Sequence, residues 1–547
     1  MGFWRGLTRP ARYAALLAGA VPVLAFPALD LEFVAWFGVV PGLLLLRAAP
    51  TGREAAVRGW WFGTGYLLAA LYWLVPNLGP ALLLVVIVLG LPWAGVGYAA
   101  WRLLRGHRAS TTTATPADPP AAASRAARYW PRGPSLGQAL AALVVLPSCW
   151  VVVDWLRSWQ GIGGPWVVFG ASQWQHPVVL ALAAVGGIWL ISFVLIAANT
   201  GIVIALTSVS LTGRAVGAAG ALIAVAAGPA SFALTAAEYS VPPAGRLTLT
   251  LVQPGLVPPG GSPQELAEEI RMTRHARRAD LVVWGESSVG YDLRTSPVVL
   301  GKLRHLSAVI GRQLLVSQDA VSPSGQKTKV AVLIGAHGME ASYTKSRLVP
   351  FGEYIPFRSA FGWLTRVSRA APENMAPGPG ARVLHAVLPD GRKLTFGILI
   401  CFESSFPDMS RFDADHGAQV IIYQTSDSTF QGSWAPEQHA SLTALRAAET
   451  GRPAVQAALT GDTAAFDARG RLLTWSGTAY RGAVRVSLAL PRTSVRTPFD
   501  RYGDVVPTFS IAVVALAIVA AAISAGMPRR VRRLAGRILG PGRRTLD

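Results

Sequence analysis

The chain has 547 residues, of which 52% are hydrophobic and only 14% are charged, which is too apolar for an ordinary soluble enzyme. Its net charge of +21 would suit a nucleic-acid-binding protein, but the arginines cluster beside long apolar blocks, as membrane topology requires, so we exclude nucleic acid as a partner. The sequence has no zinc-type Cys/His spacing, P-loop or dinucleotide-binding glycine motif, and we therefore expect no metal and no cofactor.

Roughly eight apolar blocks are long enough to form membrane-crossing helices, each of which needs about 20 mainly apolar residues. The first block could be a signal peptide, because Arg5, Arg9 and Arg12 lie at its start. A second apolar block follows at once, which favours an uncleaved first helix. The blocks lie near residues 12–28, 32–49, 58–76, 79–102, 137–157, 178–206, 215–236 and 506–527.

The arginines predict the orientation of this helix bundle. The N-terminus, residues 47–58, residues 102–132, Arg214 and the C-terminal tail are all basic. With eight helices, all of these segments fall on one side of the membrane, which should be the cytoplasm. The loop 102–132 is rich in Ala, Thr and Pro, and we expect it to be disordered.

Composition divides the chain into three parts. Residues 1–239 hold about seven predicted transmembrane helices, residues 240–500 form an extracytoplasmic domain, and residues 501–547 hold the final helix and a basic cytoplasmic tail. The middle part alternates strand-like and helical stretches, which is typical of a layered α/β fold. Strands are predicted near residues 246–252, 280–285, 313–318, 328–335, 394–401, 418–424 and 453–459, and helices near 262–278, 297–312 and 436–450.

Cys401 is the residue that points most directly to a chemistry. It follows the apolar run Lys393-Leu-Thr-Phe-Gly-Ile-Leu-Ile400, which predicts a buried strand that carries the thiol to a sheet edge. The other cysteine of the chain, Cys149, lies in a predicted membrane helix, so we expect no disulfide between the two. Judged by itself, such a cysteine is more often a small core residue than a nucleophile.

Two upstream motifs change that interpretation: Val282-Val-Trp-Gly-Glu286, and Tyr343-Thr-Lys345-Ser-Arg-Leu-Val-Pro-Phe-Gly-Glu353. A thiol needs a base to deprotonate it, and a carboxylate can act as that base where a dry site raises its pKa. The tetrahedral intermediate needs a cation or dipoles for its oxyanion. Glu286, Lys345 and Cys401 supply these groups near predicted strand ends, although each of them alone is more often a loop, surface or core residue.

In the order Glu286, Lys345 and Cys401, the three residues resemble the catalytic triad of the nitrilase superfamily, whose domain is an α-β-β-α sandwich. With its apolar blocks, nearly the whole chain resembles the apolipoprotein N-acyltransferases of the bacterial cell membrane. Further parts of this resemblance are Gly59-Trp-Trp-Phe-Gly-Thr-Gly in the membrane part and Pro436-Glu-Gln-His439 in the domain.

The resemblance implies a role for each residue of the triad. Glu286 would be the general base, Lys345 the oxyanion-stabilising cation and Cys401 the acylated nucleophile. The reaction would move an acyl chain from a phospholipid, through a Cys401 thioester, to the N-terminal α-amine of diacylglyceryl-cysteine in an apolipoprotein. Glu353 and Glu403 match supporting glutamates of the family, but both could instead only hold loops through hydrogen bonds to backbone N–H groups.

The chain departs from the family at four positions near the nucleophile. Phe402 stands where tyrosine is common, Ser426 and Thr460 stand where asparagine is common, and Thr429 replaces a tryptophan. These changes concern the acyl-chain or lipoprotein pocket rather than the triad itself.

Two other functions stay open on the sequence. The chain could be a membrane-tethered amidase or hydrolase with the same triad, or a non-catalytic scaffold for a polyprenol-mannose synthase, although an intact triad argues against a scaffold. Asp154 and Arg157 are interpreted as an anchor at the membrane interface. His439 is interpreted as a packing or hydrogen-bonding residue, because the sequence shows no matching acid and nucleophile beside it.

Overall fold

The computed structural model describes residues 2–106, 133–162, 164–236, 242–256, 262–276, 278–366 and 371–526. We expected the loop 102–132 to be disordered, and its residues 107–132 lie outside the described residues. The basic tail after residue 526 also lies outside them. The described residues form a helical bundle and an α/β domain, and the last helix of the chain packs on the bundle again.

Five helical segments of the described residues are long and apolar enough to cross a membrane, by length and composition: Ala81–Leu104, Leu136–Arg157, Pro177–Thr207, Leu211–Thr235 and Val505–Ser524. The coarse prediction of a membrane helix bundle is therefore confirmed, while the count of eight crossings stays a prediction. The helices before the domain are α1 (Gly2–Ala20), α2 (Val40–Arg47), α3 (Gly52–Ala70), α4 (Val75–Leu78), α5 (Ala81–Gly90), α6 (Trp93–Leu104), α7 (Leu136–Arg157), α8 (Pro177–Thr207) and α9 (Leu211–Thr235).

The apolar block 32–49 does not form one continuous helix. It folds as a 3₁₀ turn, Glu32–Trp36, followed by α2, which has 8 residues. Pro41 lies in the first turn of α2, where its missing N–H and fixed φ are tolerated. A block that hydropathy alone presents as continuous is therefore divided between Trp36 and Val40.

The α/β domain contains two six-stranded sheets. Their strands are β1 (Gly245–Gln253), β2 (Leu281–Trp284), β3 (Gln313–Val321), β4 (Lys327–Gly335), β5 (Gly338–Thr344), β6 (Val383–Val387), β7 (Lys393–Ile400), β8 (Val420–Thr425), β9 (Ala454–Ala458), β10 (Thr463–Phe466), β11 (Leu472–Ser476) and β12 (Gly482–Leu490). The first sheet has the order β12-β1-β2-β3-β4-β5 and the second has the order β11-β10-β9-β8-β7-β6. All the predicted strands are present, and β5, β6, β10, β11 and β12 were not predicted.

The two sheets pack face to face between layers of helices. Successive side chains of a strand point to opposite faces of the sheet, so the residues of β2 alternate between two hydrophobic cores. Leu281 and Val283 join the core between the sheets, whereas Val282 and Trp284 join a second core under the outer helices. These and the remaining helices are α10 (Ser262–Thr273), α11 (Pro297–Ile310), α12 (Arg358–Phe361), α13 (Pro407–Asp415), α14 (Ala435–Thr450), α15 (Pro498–Tyr502) and α16 (Val505–Gly526).

Helix α14 joins the domain to the bundle, because it lies between the second sheet and α8. Gly186 and Gly187 break the regular conformation of α8, and the backbone N–H of the next residue, Ile188, donates to Glu449 Oε1 at 2.8 Å. Arg446 Nη2 donates to the same carboxylate oxygen at 3.2 Å. Both charged side chains are fully buried, so each depends on the other for compensation.

We expect Glu449→Gln to destabilise the protein by about 3–5 kcal/mol above pH 7, because the change keeps the shape and the acceptor for Ile188 but leaves Arg446 buried without its counter-charge. Burial raises the pKa of Glu449 to about 7, so the carboxylate is ionised above that pH. Unfolding of the full chain in detergent measures the effect. The matched control is Glu268→Gln, which removes the partner of exposed Arg271 at the same helical spacing and should leave stability unchanged. Equal effects of the two changes would contradict this account of the α14–α8 contact.

Candidate active site

Glu286, Lys345 and Cys401 meet where three strands end. Glu286 follows β2, Lys345 directly follows β5 in the same sheet, and Cys401 directly follows β7 in the second sheet. The backbone N–H of Glu286 donates to the carbonyl oxygen of Thr425 at 3.1 Å, which ties the end of β2 to the end of β8 across the sandwich. The fold therefore brings the three predicted residues to one edge of the domain.

Lys345 is fully buried between two carboxylates. Its Nζ lies 3.0 Å from Glu286 Oε1 and 2.8 Å from Glu353 Oε1, and the other oxygen of Glu353 accepts from the Val349 N–H at 2.8 Å. Burial acts to lower the pKa of Lys345, but the charges of Glu286 and Glu353 outweigh it and raise that pKa well above its ordinary value. The side chain is therefore held as an ammonium, which can stabilise an oxyanion beside it.

Cys401 stands at a sharp turn between β7 and the 3₁₀ turn Cys401–Ser405. Its φ is 53°, in the left-handed region that residues other than glycine rarely adopt. Such a conformation costs on the order of 1–3 kcal/mol and persists only where the surroundings enforce it. The turn ends the strand at Cys401 and brings the thiol to the cavity described below.

The thiol and the carboxylate have opposite protonation states at rest. Burial, followed by the charge of Glu286, raises the pKa of the Cys401 thiol well above its ordinary value. Burial also acts to raise the pKa of Glu286, but the ammonium groups of Lys345 and Lys329 outweigh it and lower that pKa. The two ammonium groups, rather than burial, therefore decide the direction of this pKa shift. At rest, a thiol lies beside a carboxylate that could accept its proton.

Glu403 ties the loop after β5 to the loop after β7. Its Oε1 accepts from the Tyr343 hydroxyl at 2.8 Å, from the Ser346 N–H at 2.8 Å and from the Arg347 N–H at 3.0 Å. Its Oε2 accepts from the Ile400 N–H at 2.8 Å. Burial raises the pKa of Glu403. Glu403 thus holds loops through backbone N–H groups, whereas Glu353 touches Lys345 itself.

Lys329 is a charged neighbour of the site that sequence analysis missed. It lies in β4, and its Nζ donates to Ser287 Oγ and, at 2.6 Å, to Asp319 Oδ1. Its charge contributes to the lowered pKa of Glu286. Lys327, two positions earlier in the same strand, is exposed. Alternate residues of a strand share a face, so the sequence pattern does not tell one lysine from the other.

Asp427 and His439 form a buried pair beside the nucleophile. His439 Nδ1 lies 3.0 Å from Asp427 Oδ1 and 3.3 Å from Thr425 Oγ1. Three possible metal ligands lie within 4.8 Å of one another: Cys401 Sγ, a carboxylate oxygen of Asp427 and a ring nitrogen of His439. Among the described residues, this is the only cluster of three or more His, Cys, Asp or Glu side chains that could hold a metal ion. The acid that the sequence did not reveal for His439 is therefore Asp427, which β8 brings next to α14.

A cavity of about 120 Å³ opens beside Cys401. Its walls are mostly apolar and come from both parts of the chain. The bundle contributes Leu71, Trp73, Leu78, Leu89 and Trp166, and the domain contributes Val349, Phe351, Phe402 and Phe430. The charged or titratable groups in the lining are Arg157, Cys401, Asp427 and His439.

Three of the four family departures lie at or near this cavity. Phe402 lines it and stacks with Trp166, with ring centroids 6.4 Å apart. Ser426 Oγ lies 3.3 Å from Thr460 Oγ1, so two hydroxyls meet at the positions where the family often has two amides. Thr429 is exposed and does not line the cavity.

Comparison with known proteins matches both parts of the chain. Residues 18–201 match the apolipoprotein N-acyltransferase N-terminal domain, and residues 264–491 match the carbon-nitrogen hydrolase family. The apolipoprotein N-acyltransferase of Geobacter metallireducens is 28% identical, over 93% of this chain and 94% of that protein. The one from Chlorobaculum tepidum is 26% identical, over 92% of this chain and 96% of that protein. An amidase from Nesterenkonia sp., known from its crystal structure, is 19% identical over 47% of this chain and 94% of its own, with a TM-score of 0.32.

The two sheets and the domain match define a carbon-nitrogen hydrolase domain, and here that domain is joined to a membrane helix bundle. The N-terminal match and the curated relatives, which cover both parts together, narrow the class. Over nearly its whole length, the chain is similar to apolipoprotein N-acyltransferases.

We expect Lys329→Met to raise the pKa of Glu286, because the change removes one of the two ammonium groups that lower it. A base works only when ionised, so its contribution is lost as the pH falls through its pKa, and a raised pKa moves that loss to higher pH. The pH dependence of Cys401 alkylation by iodoacetamide measures the shift. Lys327→Met, on the same strand, is the matched control and should leave the profile unchanged. An identical profile for Lys329→Met and the unaltered protein would contradict the assigned influence of Lys329.

Proposed function

We propose that the protein transfers a fatty acyl chain from a phospholipid to the N-terminal α-amine of diacylglyceryl-cysteine in an apolipoprotein. One observation carries this proposal: Cys401 lines an apolar cavity whose walls come from both the membrane bundle and the catalytic domain. Apolar walls of this kind suit the part of a fatty acyl chain next to its carbonyl carbon, since about 120 Å³ holds only a few methylene groups. A small soluble amide would gain nothing from walls such as Leu71 and Trp73 of the bundle.

The first half-reaction acylates Cys401. Glu286 takes the thiol proton as the sulfur attacks the ester carbonyl carbon of the phospholipid, and the Lys345 ammonium stabilises the oxyanion. The new bond is C–S and the bond that breaks is the ester C–O bond. Glu286 then gives its proton to the departing oxygen, so the products are a thioester and a lysophospholipid alcohol.

The second half-reaction moves the acyl chain to the lipoprotein. The α-amine attacks the thioester carbonyl carbon, so that a C–N bond forms and the C–S bond breaks. Glu286 takes a proton from the attacking nitrogen and returns it to the sulfur. Glu353 supports these steps by holding Lys345, and Glu403 supports them by fixing the loops that carry Lys345 and Cys401.

Hydrolysis of the thioester is the competing outcome, and it would make the protein a membrane-tethered hydrolase. Glu286 is buried and Cys401 is half-buried, and apolar side chains surround the cavity beside them, which limits access of water to the thioester. An apolar cavity of this kind favours transfer of the acyl chain to an amine that carries its own diacylglyceryl group, rather than attack on the thioester by water.

The proposal includes a topology. Residues 1–239 would cross the membrane about seven times and residues 501–547 once more. The domain of residues 240–500 would then lie outside the cytoplasm and both termini inside, in agreement with the positive charge of the predicted cytoplasmic segments. Phospholipid and lipoprotein would both reach the cavity from the outer leaflet.

Purified protein given phospholipid alone should gain one acyl mass on the peptide that contains Cys401, because no acceptor is present to discharge the thioester. Intact-mass and peptide mass spectrometry measure the adduct, and neutral hydroxylamine should remove it. Cys401→Ser should show no hydroxylamine-labile adduct, whereas Cys149→Ser, the matched control, should keep it. Active protein without any adduct would replace the two-step mechanism with direct transfer.

A topology reporter fused near Gly380 should behave as extracytoplasmic, and one fused after residue 526 should behave as cytoplasmic, because the arginine-rich segments stay inside. Paired alkaline phosphatase and green fluorescent protein fusions measure the two positions. A cytoplasmic signal from the position near Gly380 would overturn the topology, and the acceptor assignment with it.

A further inference from the structure

The proposed second half-reaction leaves one proton without an acceptor. An α-amine has a pKa of about 8, so at neutral pH the acceptor arrives largely as an ammonium. It must lose one proton before it can attack and a second after the C–N bond forms. Glu286 carries a single proton and returns it to the sulfur of Cys401. A second base at the cavity would let the other proton leave after the acceptor has bound.

His439 lies where such a base would be required. It lines the cavity, and one of its ring nitrogens lies within 4.8 Å of Cys401 Sγ. Asp427 holds Nδ1 at 3.0 Å. Its Nε2 is buried and makes no hydrogen bond of acceptable geometry with any described residue.

The Asp427 carboxylate also selects the tautomer. In neutral His439, an N–H at Nδ1 donates to Asp427, which leaves the lone pair on Nε2. A buried imidazole with an unused acceptor nitrogen and an acid on the other nitrogen is arranged to accept a proton.

We propose that His439, oriented by Asp427, is the second base of the reaction and takes the first proton from the acceptor ammonium before the amine attacks the Cys401 thioester. This inference rests on the proposed function. In the step, an N–H bond of the ammonium breaks, an N–H bond forms at Nε2 of His439, and the amine keeps the electron pair with which it attacks. The imidazolium later releases its proton to solvent, which balances the one proton that the overall transfer produces.

The groups around His439 suit this role. Burial acts to lower the pKa of His439, but Asp427, followed by the Cys401 backbone and Glu286, outweighs it and raises that pKa. Arg157 is the other charged side chain in the cavity lining. A raised pKa of His439 lies closer to the pKa of the acceptor ammonium. Transfer of the proton from the ammonium to the imidazole is then less unfavourable in free energy. Because the base must be neutral, its contribution appears as the pH rises through this pKa.

The test measures the two half-reactions separately in the full-length protein. Phospholipid alone reports formation of the acyl-enzyme. A synthetic lipopeptide with S-diacylglyceryl-cysteine and a free α-amine, added to the preformed acyl-enzyme, reports transfer. His439→Gln should slow transfer to the lipopeptide by about 100-fold, the usual scale of a general base, while the acyl-enzyme still forms.

Two further readouts separate a base from a structural role. The deficit of His439→Gln should shrink above pH 8, because more of the lipopeptide then arrives as free amine. Hydroxylamine, which is largely uncharged at neutral pH, should discharge the folded acyl-enzyme of His439→Gln as fast as that of the unaltered protein.

Two more variants complete the set. Asp427→Asn should show a deficit in the same half-reaction, because an amide that donates to Nδ1 shifts the imidazole proton to Nε2. Thr443→Val is the matched control: Thr443 lies one turn further along α14, and its buried hydroxyl has no hydrogen-bond partner among the described residues. It should change neither half-reaction.

Two results for His439→Gln would overturn the role of His439 as the second base. The first is an equal loss of rate in acyl-enzyme formation and in transfer to the lipopeptide. The second is an equal loss of rate with hydroxylamine and with the lipopeptide as acceptor. Normal transfer by His439→Gln would overturn it as well. If the unaltered protein formed no acyl-enzyme, or passed its acyl chain to water alone, the proposed function would fail, and this result is distinct from any effect of the His439 variant.

Discussion

The candidate active site depends on one buried cation. Lys345 has no exposed surface and lies between Glu286 and Glu353. An ammonium removed from water is costly unless oppositely charged partners compensate it. Glu286 comes from the end of β2 and Glu353 from the loop after β5, so compensating this one charge fixes two chain segments beside Cys401. The same ion pairs of Lys345 therefore stabilise this edge of the domain and set the geometry of the candidate site.

This charge arrangement positions the Cys401 thiol without ionising it in advance. The ammonium of Lys345 acts to lower the pKa of the Cys401 thiol, but burial and Glu286 raise it further, so the resting group is a thiol. The left-handed backbone at Cys401 and the hydrogen bonds of Glu403 to the flanking loops hold that thiol in place. Reactivity then comes from placing thiol, base and cation together, which is how proximity lowers a barrier.

The sequence predicted those strands whose residues form continuous apolar runs, and the ends of these runs located the candidate site residues. Cys401 follows an apolar run that a half-exposed strand would not have, and that pattern located both the strand and its end. Strands such as β11, whose residues are mostly exposed or half-buried, gave no such pattern and were missed. Lys329 could not be separated from Lys327 by strand periodicity, and the pairing of Asp427 with His439 depends on how β8 and α14 pack. In the bundle, the block of residues 32–49, which hydropathy presented as continuous, is divided into a 3₁₀ turn and α2.

The bundle takes part in the site itself. Trp166, in the loop after α7, donates from Nε1 to Gln438 Oε1 at 3.1 Å, and its ring lies 5.3 Å from that of His439. Arg157 Nη2 donates to the Trp166 carbonyl oxygen at 2.8 Å and pairs with Asp154, so a buried ion pair at the end of α7 holds the tryptophan against the catalytic helix α14. The anchor that the sequence indicated at Asp154 and Arg157 thus reaches the cavity wall. A domain cut free of the bundle would keep Cys401 but lose one side of the cavity beside it.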